Sequence, residues 1–241
     1  MEEMRLNRYL AACGICSRRD ADKLIEQGVV TVDGQKASPG IKVTGREQIF
    51  VRGKRIHDQN RKVVLAYYKP VGVTCTERDA HAGKIVTQEL KYPVRVTYAG
   101  RLDRDSEGLL LMTNDCGLIE AMMRGSNGHQ KEYIVKSDKP WKEEALENMR
   151  RGVYLEELKV TTRPCEIELM GPKTLRMILT QGLNRQIRRM CQMQGYRVIG
   201  LKRTRVINVE LGELRPGEYR EITDTERAAL YKECGLYVEN V

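Results

Sequence analysis

Three carboxylates stand close together in one glycine-bounded polar stretch. It reads Gly100-Arg101-Leu102-Asp103-Arg104-Asp105-Ser106-Glu107-Gly108 and runs straight into Leu109-Leu110-Leu111-Met112. A polar loop feeding a buried strand sets functional groups on a rigid support. A carboxylate beside a guanidinium stays ionised, and an ionised carboxylate can act as a covalent nucleophile. Guanidinium groups are at hand: Arg101 precedes Asp103 by two residues, and Arg185, Arg188 and Arg189 cluster further on. Two other chemistries fit the same residues. Asp103-x-Asp105 with Glu107 offers hard oxygen ligands to a divalent cation, as a metal-dependent nuclease would use. The stretch also fits a polar turn tied down by surface ion pairs, and spacing alone favours that reading.

Other chemistries find less support. Neither a GxxxxGK[ST] loop nor a Rossmann glycine fingerprint occurs. His57, His81 and His129 lack the mutual spacing of a triad or a metal set, and each reads as structural or surface. Cys13-x-x-Cys16 would need a second pair to make a zinc ribbon, and none follows. The seven cysteines are odd in number, and reduced thiols are expected. No metal and no cofactor are expected. Met1-Glu2-Glu3-Met4-Arg5 lacks an apolar run, so a cytoplasmic protein is expected. The longest apolar run, Val63 to Tyr68, is far short of the roughly 20 residues of a membrane helix.

The net charge of +9 is unevenly spread. Residues 1–62 hold thirteen Lys/Arg against eight Asp/Glu, and residues 169–209 hold nine Lys/Arg and no acid. Two separate basic regions point to a long polyanion such as nucleic acid rather than to a small acidic ligand.

The elements that must position the candidate groups are strand-rich. Val63–Tyr68 predicts a buried strand stopped at Lys69-Pro70. Gly72–Thr76 and Arg95–Tyr98 read as extended, and Lys131–Ser137 as a strand. Trp141, Ala145, Leu146 and Met149 mark a helix ended by Gly152. Val160–Leu169 and Thr174–Leu179 predict paired strands, Asn184–Gln194 a helix, and Arg197–Leu201 and Thr204–Val209 two further strands. Thr223-x-x-Glu226 caps a last helix. The order is mixed and shows no regular βαβ alternation, which predicts an α+β fold with a mixed, largely antiparallel sheet.

Ahead of this lies a small basic module. Leu6 and Leu10 give one helix face, and Gly14 ends that helix. Ser17 is an N-cap with Asp20 as its partner, Ala21, Leu24 and Ile25 follow at helical spacing, and Gly28 closes the second helix. Val29–Val32 and the turn signal Asp33-Gly34 predict a hairpin. Arg5, Arg8, Arg18, Arg19 and Lys23 surround the apolar face and offer phosphate oxygens one basic surface. The polar run from Ile56 to Arg61 reads as a linker, dividing the chain into residues 1–61 and 62–241.

Family resemblance sharpens the reading. Arg5-Leu6-Asn7-Arg8-Tyr9-Leu10, Gly14-Ile15-Cys16-Ser17-Arg18-Arg19 and Gly28-Val29-Val30-Thr31-Val32-Asp33-Gly34 resemble an S4 RNA-binding domain. Gly100-Arg101-Leu102-Asp103 followed by Ser106-x-Gly108-Leu109-Leu110 resembles the catalytic motif of pseudouridine synthases. Lys131-Glu132-Tyr133-Ile134-Val135 resembles their second motif, the stretch from Gln181 to Met190 their third, and Lys69-Pro70-x-Gly72-Val73 their opening strand. The combination is similar to the RsuA branch, with its RluB, RluE and RluF members, and Leu183-Asn184-Arg185 is most like the RluF type. One departure is Cys116, which stands between Asp115 and Gly117 where the family has glycine.

The resemblance implies an isomerase that turns uridine into pseudouridine in ribosomal RNA of the large subunit, with transfer RNA an open second substrate. It implies a cytoplasmic, monomeric enzyme without cofactor. Asp103 matches the nucleophile, Tyr133 the tyrosine that stacks on the target base and serves as a base at C5, and Arg188 the arginine that pairs with the catalytic aspartate. Arg101 matches the residue that fills the space of the flipped base, and Arg185 and Arg189 join it as RNA contacts.

Overall fold

The computed structural model describes residues 3–56, 62–76, 83–124 and 128–236. His57, His81 and the linker after Ile56 lie outside the described residues, and so does the expected border at residue 61. The chain forms two compact units: Met1–Val63 with Tyr92–Thr97 and Thr113–Cys116, and Val64–Lys91 with Tyr98–Met112 and Gly117–Val241.

In the first unit, α1 (Leu6–Ala12) and α2 (Arg18–Glu26) precede β1 (Val30–Val32), β2 (Gln35–Lys36), β3 (Ile49–Val51) and β4 (Lys54–Arg55). Ser17 caps α2 by accepting from Asp20 N at 3.2 Å. Asp33 and Gly34 both take positive φ, 48° and 80°, as a tight hairpin whose twist matches its strands requires. Leu6, Leu10, Ala21, Ile25, Val30 and Ile49 close a small core. Arg5, Arg18, Arg19 and Lys23 are exposed around it, and Arg8 is half-buried.

The second unit is built on a sheet in the order β8-β9-β7-β10-β6-β5-β11. Its strands are β5 (Val64–Lys69), β6 (Glu107–Thr113), β7 (Lys131–Ser137), β8 (Glu166–Gly171), β9 (Thr174–Leu179), β10 (Val198–Val206) and β11 (Tyr219–Glu221). Strands β8/β9, β9/β7, β7/β10 and β5/β11 pair antiparallel. The fold is therefore α+β with a mixed, mostly antiparallel sheet. Strands β5 and β6 are buried on both faces, which is why they read as unbroken apolar runs.

Two cores flank the middle of this sheet. One gathers Val135, Leu175, Met177 and Leu201 under helices α4 (Glu143–Arg151) and α5 (Gln186–Met193). The other gathers Ala66, Leu109 and Leu111 with Leu118 of α3 (Cys116–Met123) and Leu230 of α6 (Asp224–Glu233). They meet where β10 runs parallel to β6 through only two residue pairs, Lys202 with Glu107 and Arg203 with Gly108. Gly108 has φ 104°, and a Cβ built on it would lie 2.7 Å from Arg203 N and closer still to Arg203 O. Only glycine lets these backbones approach.

Several expectations change in detail. Val160–Leu169 is not one strand: Val160–Thr161 pairs with Tyr154–Leu155, β8 begins at Glu166, and Pro164 lies in the break. Proline cannot donate to a ladder, so it ends pairing there. The two short strands expected at 197–201 and 204–209 are one nine-residue strand, β10. It carries a bulge: Glu132 faces Arg205 but Tyr133 faces Arg203, leaving Thr204 as the extra residue. Trp141 precedes α4 rather than lying in it and stacks on Tyr196, ring centroids 4.2 Å apart. Cys116 opens α3, a helix beyond those expected from the sequence. Among the described residues, no helix is long and apolar enough to cross a membrane.

Gly108→Ala is expected to destabilise the protein by about 3–5 kcal/mol, since a backbone clash cannot relax as a side chain can. Urea unfolding checks this. A midpoint unchanged from the parent would show that the β6–β10 approach is not tight.

Candidate active site

The glycine-bounded loop, β7, the start of α5 and β10 converge on one cavity of about 230 Å³. Arg101, Asp103, Lys131, Tyr133, Arg185 and Arg203 all line it. Asp103 is the only acid among the described residues that line it. Its side chain keeps 32% of its surface exposed, so it is open to a ligand. Tyr133 is half-buried on β7, directly across from Arg203 on β10.

The resemblance matches Arg188 to the arginine that pairs with Asp103, with Arg185 and Arg189 as its competitors, and the structure brings Arg185 to Asp103. Arg185 Nη1 lies 3.7 Å from Asp103 Oδ2. Arg188 lies instead against Asp105: Nε is 3.3 Å from Oδ2 and Nη2 donates to the Asp105 carbonyl at 2.8 Å. Backbone geometry decides between them. Arg185 is the N-cap of α5 in the left-handed conformation, φ 50° and ψ 34°, which turns its side chain toward the loop. Arg188 sits one turn inside the helix, where Val198 O accepts from its Nη1 at 3.1 Å. Arg185 also holds Asp105 with two parallel bonds of 3.1 Å. Arg189 donates to Asn184 O, pairs with Glu157, and does not line the cavity.

The three acids of the loop therefore have separate tasks. Asp105 is a fixed anchor. Burial works against its ionisation, yet the bond from Arg185 and the charges of Arg188 and Arg185 outweigh this and hold its carboxyl below the usual range. Glu107 accepts from the Tyr68 hydroxyl at 2.9 Å. Burial first, and then this bond, push the Tyr68 phenol up to about 12. Asp103 is left facing the cavity. No group of three or more metal-ligating side chains occurs among the described residues.

Three cations near the loop have no separate role in the sequence motifs. Lys69 ends β5 fully buried, and its ammonium donates to Pro70 O and Val73 O, both at 2.8 Å. Burial lowers it to about 8, although Cys75, Asp103, Asp105 and Glu107 pull the other way. Arg203 is 3% exposed; its Nε donates to Leu109 O at 2.7 Å and Nη1 reaches Arg101 O at 3.5 Å. It thereby ties both ends of the loop to β10. Lys131 lines the same cavity. The sequence signal for Arg203 is the acid-free basic stretch around it, but its parity suggests the wrong face.

Known proteins resemble this chain along nearly its whole length. Residues 63–193 match the model of the RNA pseudouridylate synthase family, and residues 4–49 match that of the S4 domain. The chain is 42% identical over 231 residues to the dual-specificity RNA pseudouridine synthase RluF of Escherichia coli K12, covering 95% of this chain and 79% of that protein. It is 36% identical over 230 residues to the ribosomal large subunit pseudouridine synthase B of Bacillus subtilis, covering 92% and 93%. A solved pseudouridylate synthase superposes with a TM-score of 0.70 at 26% identity, covering 94% of this chain and 99% of that one.

The buried Lys69 gives a pH signature. Its folded value near 8 lies below its ordinary 10.5, so between these the unfolded chain binds more protons. The parent is expected to gain stability relative to Lys69→Met as pH rises from 8 to 10.5. Urea midpoints of both proteins across that window measure the difference, and a flat difference would contradict a buried charged lysine.

Proposed function

The chain belongs to the RNA pseudouridylate synthase family and carries an S4 domain in front, and on that premise we propose that it isomerises uridine to pseudouridine in ribosomal RNA. The observation that carries the reading is a single carboxylate, Asp103, facing Tyr133 across a basic-rimmed cavity beside Arg185. Such a rim suits a polyanion, and one free carboxylate suits a nucleophile better than a metal cage, whose oxygen ligands must converge.

The reaction is a rearrangement with no change of mass and no redox step. The target uridine leaves its stack at a cost of a few kcal/mol. Stacking on Tyr133 returns about 1–3 kcal/mol of that. Asp103 attacks the nucleotide, at C6 of the base or C1′ of the ribose. The C1′–N1 bond breaks, the base rotates, C5 bonds to C1′, the bond to Asp103 breaks and returns the carboxylate, the C5 proton leaves to the Tyr133 oxygen acting as base, and N1 takes up a proton. Arg185 orients Asp103, while Arg188 braces the loop through Asp105 and Ser106. Arg101, exposed at the rim, takes the place of the flipped base. Arg5, Arg8, Arg18, Arg19 and Lys23 hold RNA by its phosphates, Arg189 adds a peripheral contact, and the module border falls near residue 61. The enzyme works as a cytoplasmic monomer without metal or cofactor.

Asp103→Asn is expected to abolish isomerisation while RNA affinity stays within about tenfold, because phosphate contacts carry most of the affinity. Asp105→Asn and Glu107→Gln are expected to keep measurable turnover, and a chelator to have no effect. Tritium release from C5-labelled uridine in ribosomal RNA, with transfer RNA assayed alongside, measures all four. Near-parent activity in Asp103→Asn, or loss by chelator alone, would remove the nucleophile assignment.

A second test addresses the basic module. Replacing both Arg18 and Arg19 by Ala should flatten the log–log salt dependence of RNA binding by about 0.7–0.9 for each phosphate no longer neutralised. Filter binding across a salt series reads the slope, and an unchanged slope would take RNA off this face.

A further inference from the structure

The cavity holds two kinds of cation. Arg101 and Arg124 are exposed at its rim, and Arg185 is 42% exposed and paired with acids. Lys131 and Arg203 are the inner pair. Arg203 is almost wholly buried, and its Nη2 is closed to water and has no hydrogen-bond partner. Its two bonded nitrogens meet only neutral carbonyls. Lys131 Nζ meets a carbonyl too, His129 O at 3.3 Å. Neither side chain has a carboxylate partner among the described residues. Burial, and then the charge of Arg203, press Lys131 toward its neutral form. A buried guanidinium and a half-buried ammonium lining one cavity without an anion are costly, and an orphan buried N–H adds to the cost. An arrangement so unfavourable in the free protein is suited to a ligand that brings negative charge.

Position selects which part of the nucleotide that is. Phosphates are strongly hydrated and run along the strand, so they meet the exposed rim arginines. The base is flat and weakly hydrated and is the part that goes deep, toward Tyr133. Lys131 and Tyr133 lie on one face of β7, and the Thr204 bulge brings Arg203 to the same face. We propose that Lys131 and Arg203 form an oxyanion site that holds a ring carbonyl oxygen, O2 or O4, of the target uracil and accepts the charge that develops there.

The inference rests on the synthase reading above, but not on the point of attack. If Asp103 bonds to C6, the C5–C6 π pair moves through C4 onto O4. If Asp103 bonds to C1′, the C1′–N1 pair leaves with the base and spreads from N1 over O2 and O4. Either way a ring oxygen becomes anionic; the pair returns to carbon when C5 joins C1′, the carboxylate of Asp103 is released, and the C5 proton departs as N1 gains one. Donors fixed in a dry site stabilise such charge without reorganising.

Lys131→Met keeps the length of the side chain and removes the charge. Its single-turnover rate at saturating RNA is expected to fall about 100-fold, the usual loss of one oxyanion donor. Its RNA affinity should stay within about threefold, since the rim carries the phosphates. Its melting temperature should equal or exceed the parent's, because a half-buried cation without a carboxylate partner is gone. Lys131→Arg should restore most of the rate, and Lys131→Gln repeats the test should the methionine variant misfold. Sulfur accepts hydrogen bonds poorly, so the penalty of Lys131→Met should shrink when the mapped target is 2-thiouridine or 4-thiouridine, and the responsive one names the oxygen. Weaker binding with an unchanged saturated rate would assign the pair to a phosphate and overturn the proposal. An unchanged rate, or an equal penalty on all three substrates, would overturn it as well. A parent that converts no uridine removes the synthase reading itself; an active parent with an unaffected variant removes only the oxyanion site.

Discussion

The close approach of Gly108 to the backbone of Arg203 is the constraint on which the catalytic unit depends. Two residue pairs of parallel sheet join two separately cored halves. A side chain at residue 108 would force them apart. Because the halves meet there, the loop before β6 and the side chains of β7 and β10 open onto one cavity. Arg203 strengthens the join, since its guanidinium ties the strand after the loop and the loop's own start to β10. One residue thus supplies backbone to the seam and a cation to the cavity beside it.

Electrostatics in this unit divide by partner. Acids that face outward are matched: Glu132 is shared by Arg176, Arg205 and Thr204, and burial opposing its ionisation is outweighed by these partners, so its carboxyl sits below the ordinary range. Glu226 is held by Arg220 and the cap of α6. Such pairs contribute modestly where water screens them. Lys69 and Arg203, both buried, and the half-buried Lys131 stand apart, for their hydrogen bonds go to carbonyls. Stability has been given up around the loop that carries Asp103, as it commonly is where a protein performs chemistry.

Much of this is legible in the sequence because local rules and global fold agree. The cap at Ser17, the turn at Asp33-Gly34, the continuous apolar runs of β5 and β6 and the glycine-bounded acids each carry a short-range signal. What escapes depends on pairing. Arg203 and Arg205 have the same parity, so a regular strand would put them on one face; the bulge sends Arg205 to Glu132 and Arg203 to Tyr133. Arg185 and Arg188 cannot be told apart by spacing, because a left-handed residue at a helix start leaves no periodic trace. Pro164 does signal its break in principle, but the β-rich residues around it mask the signal.

The Thr204 bulge also bears on which changes in chain length this lineage tolerates. Side chains alternate with period two along a strand, so a single-residue slip exchanges its faces. Losing the extra residue at 204 would join Arg203 directly to Arg205, leave them opposite Tyr133 and Glu132 as now, and make the ladder regular with both guanidinium groups on their present faces. A point substitution at Thr204 leaves the count intact and costs one hydroxyl bond to Glu132. Substitution and deletion are thus both open at the bulge itself, whereas a one-residue change elsewhere in β10 exchanges faces, so an alignment gap at this one position in a distant homologue marks a straighter strand with the same cavity lining.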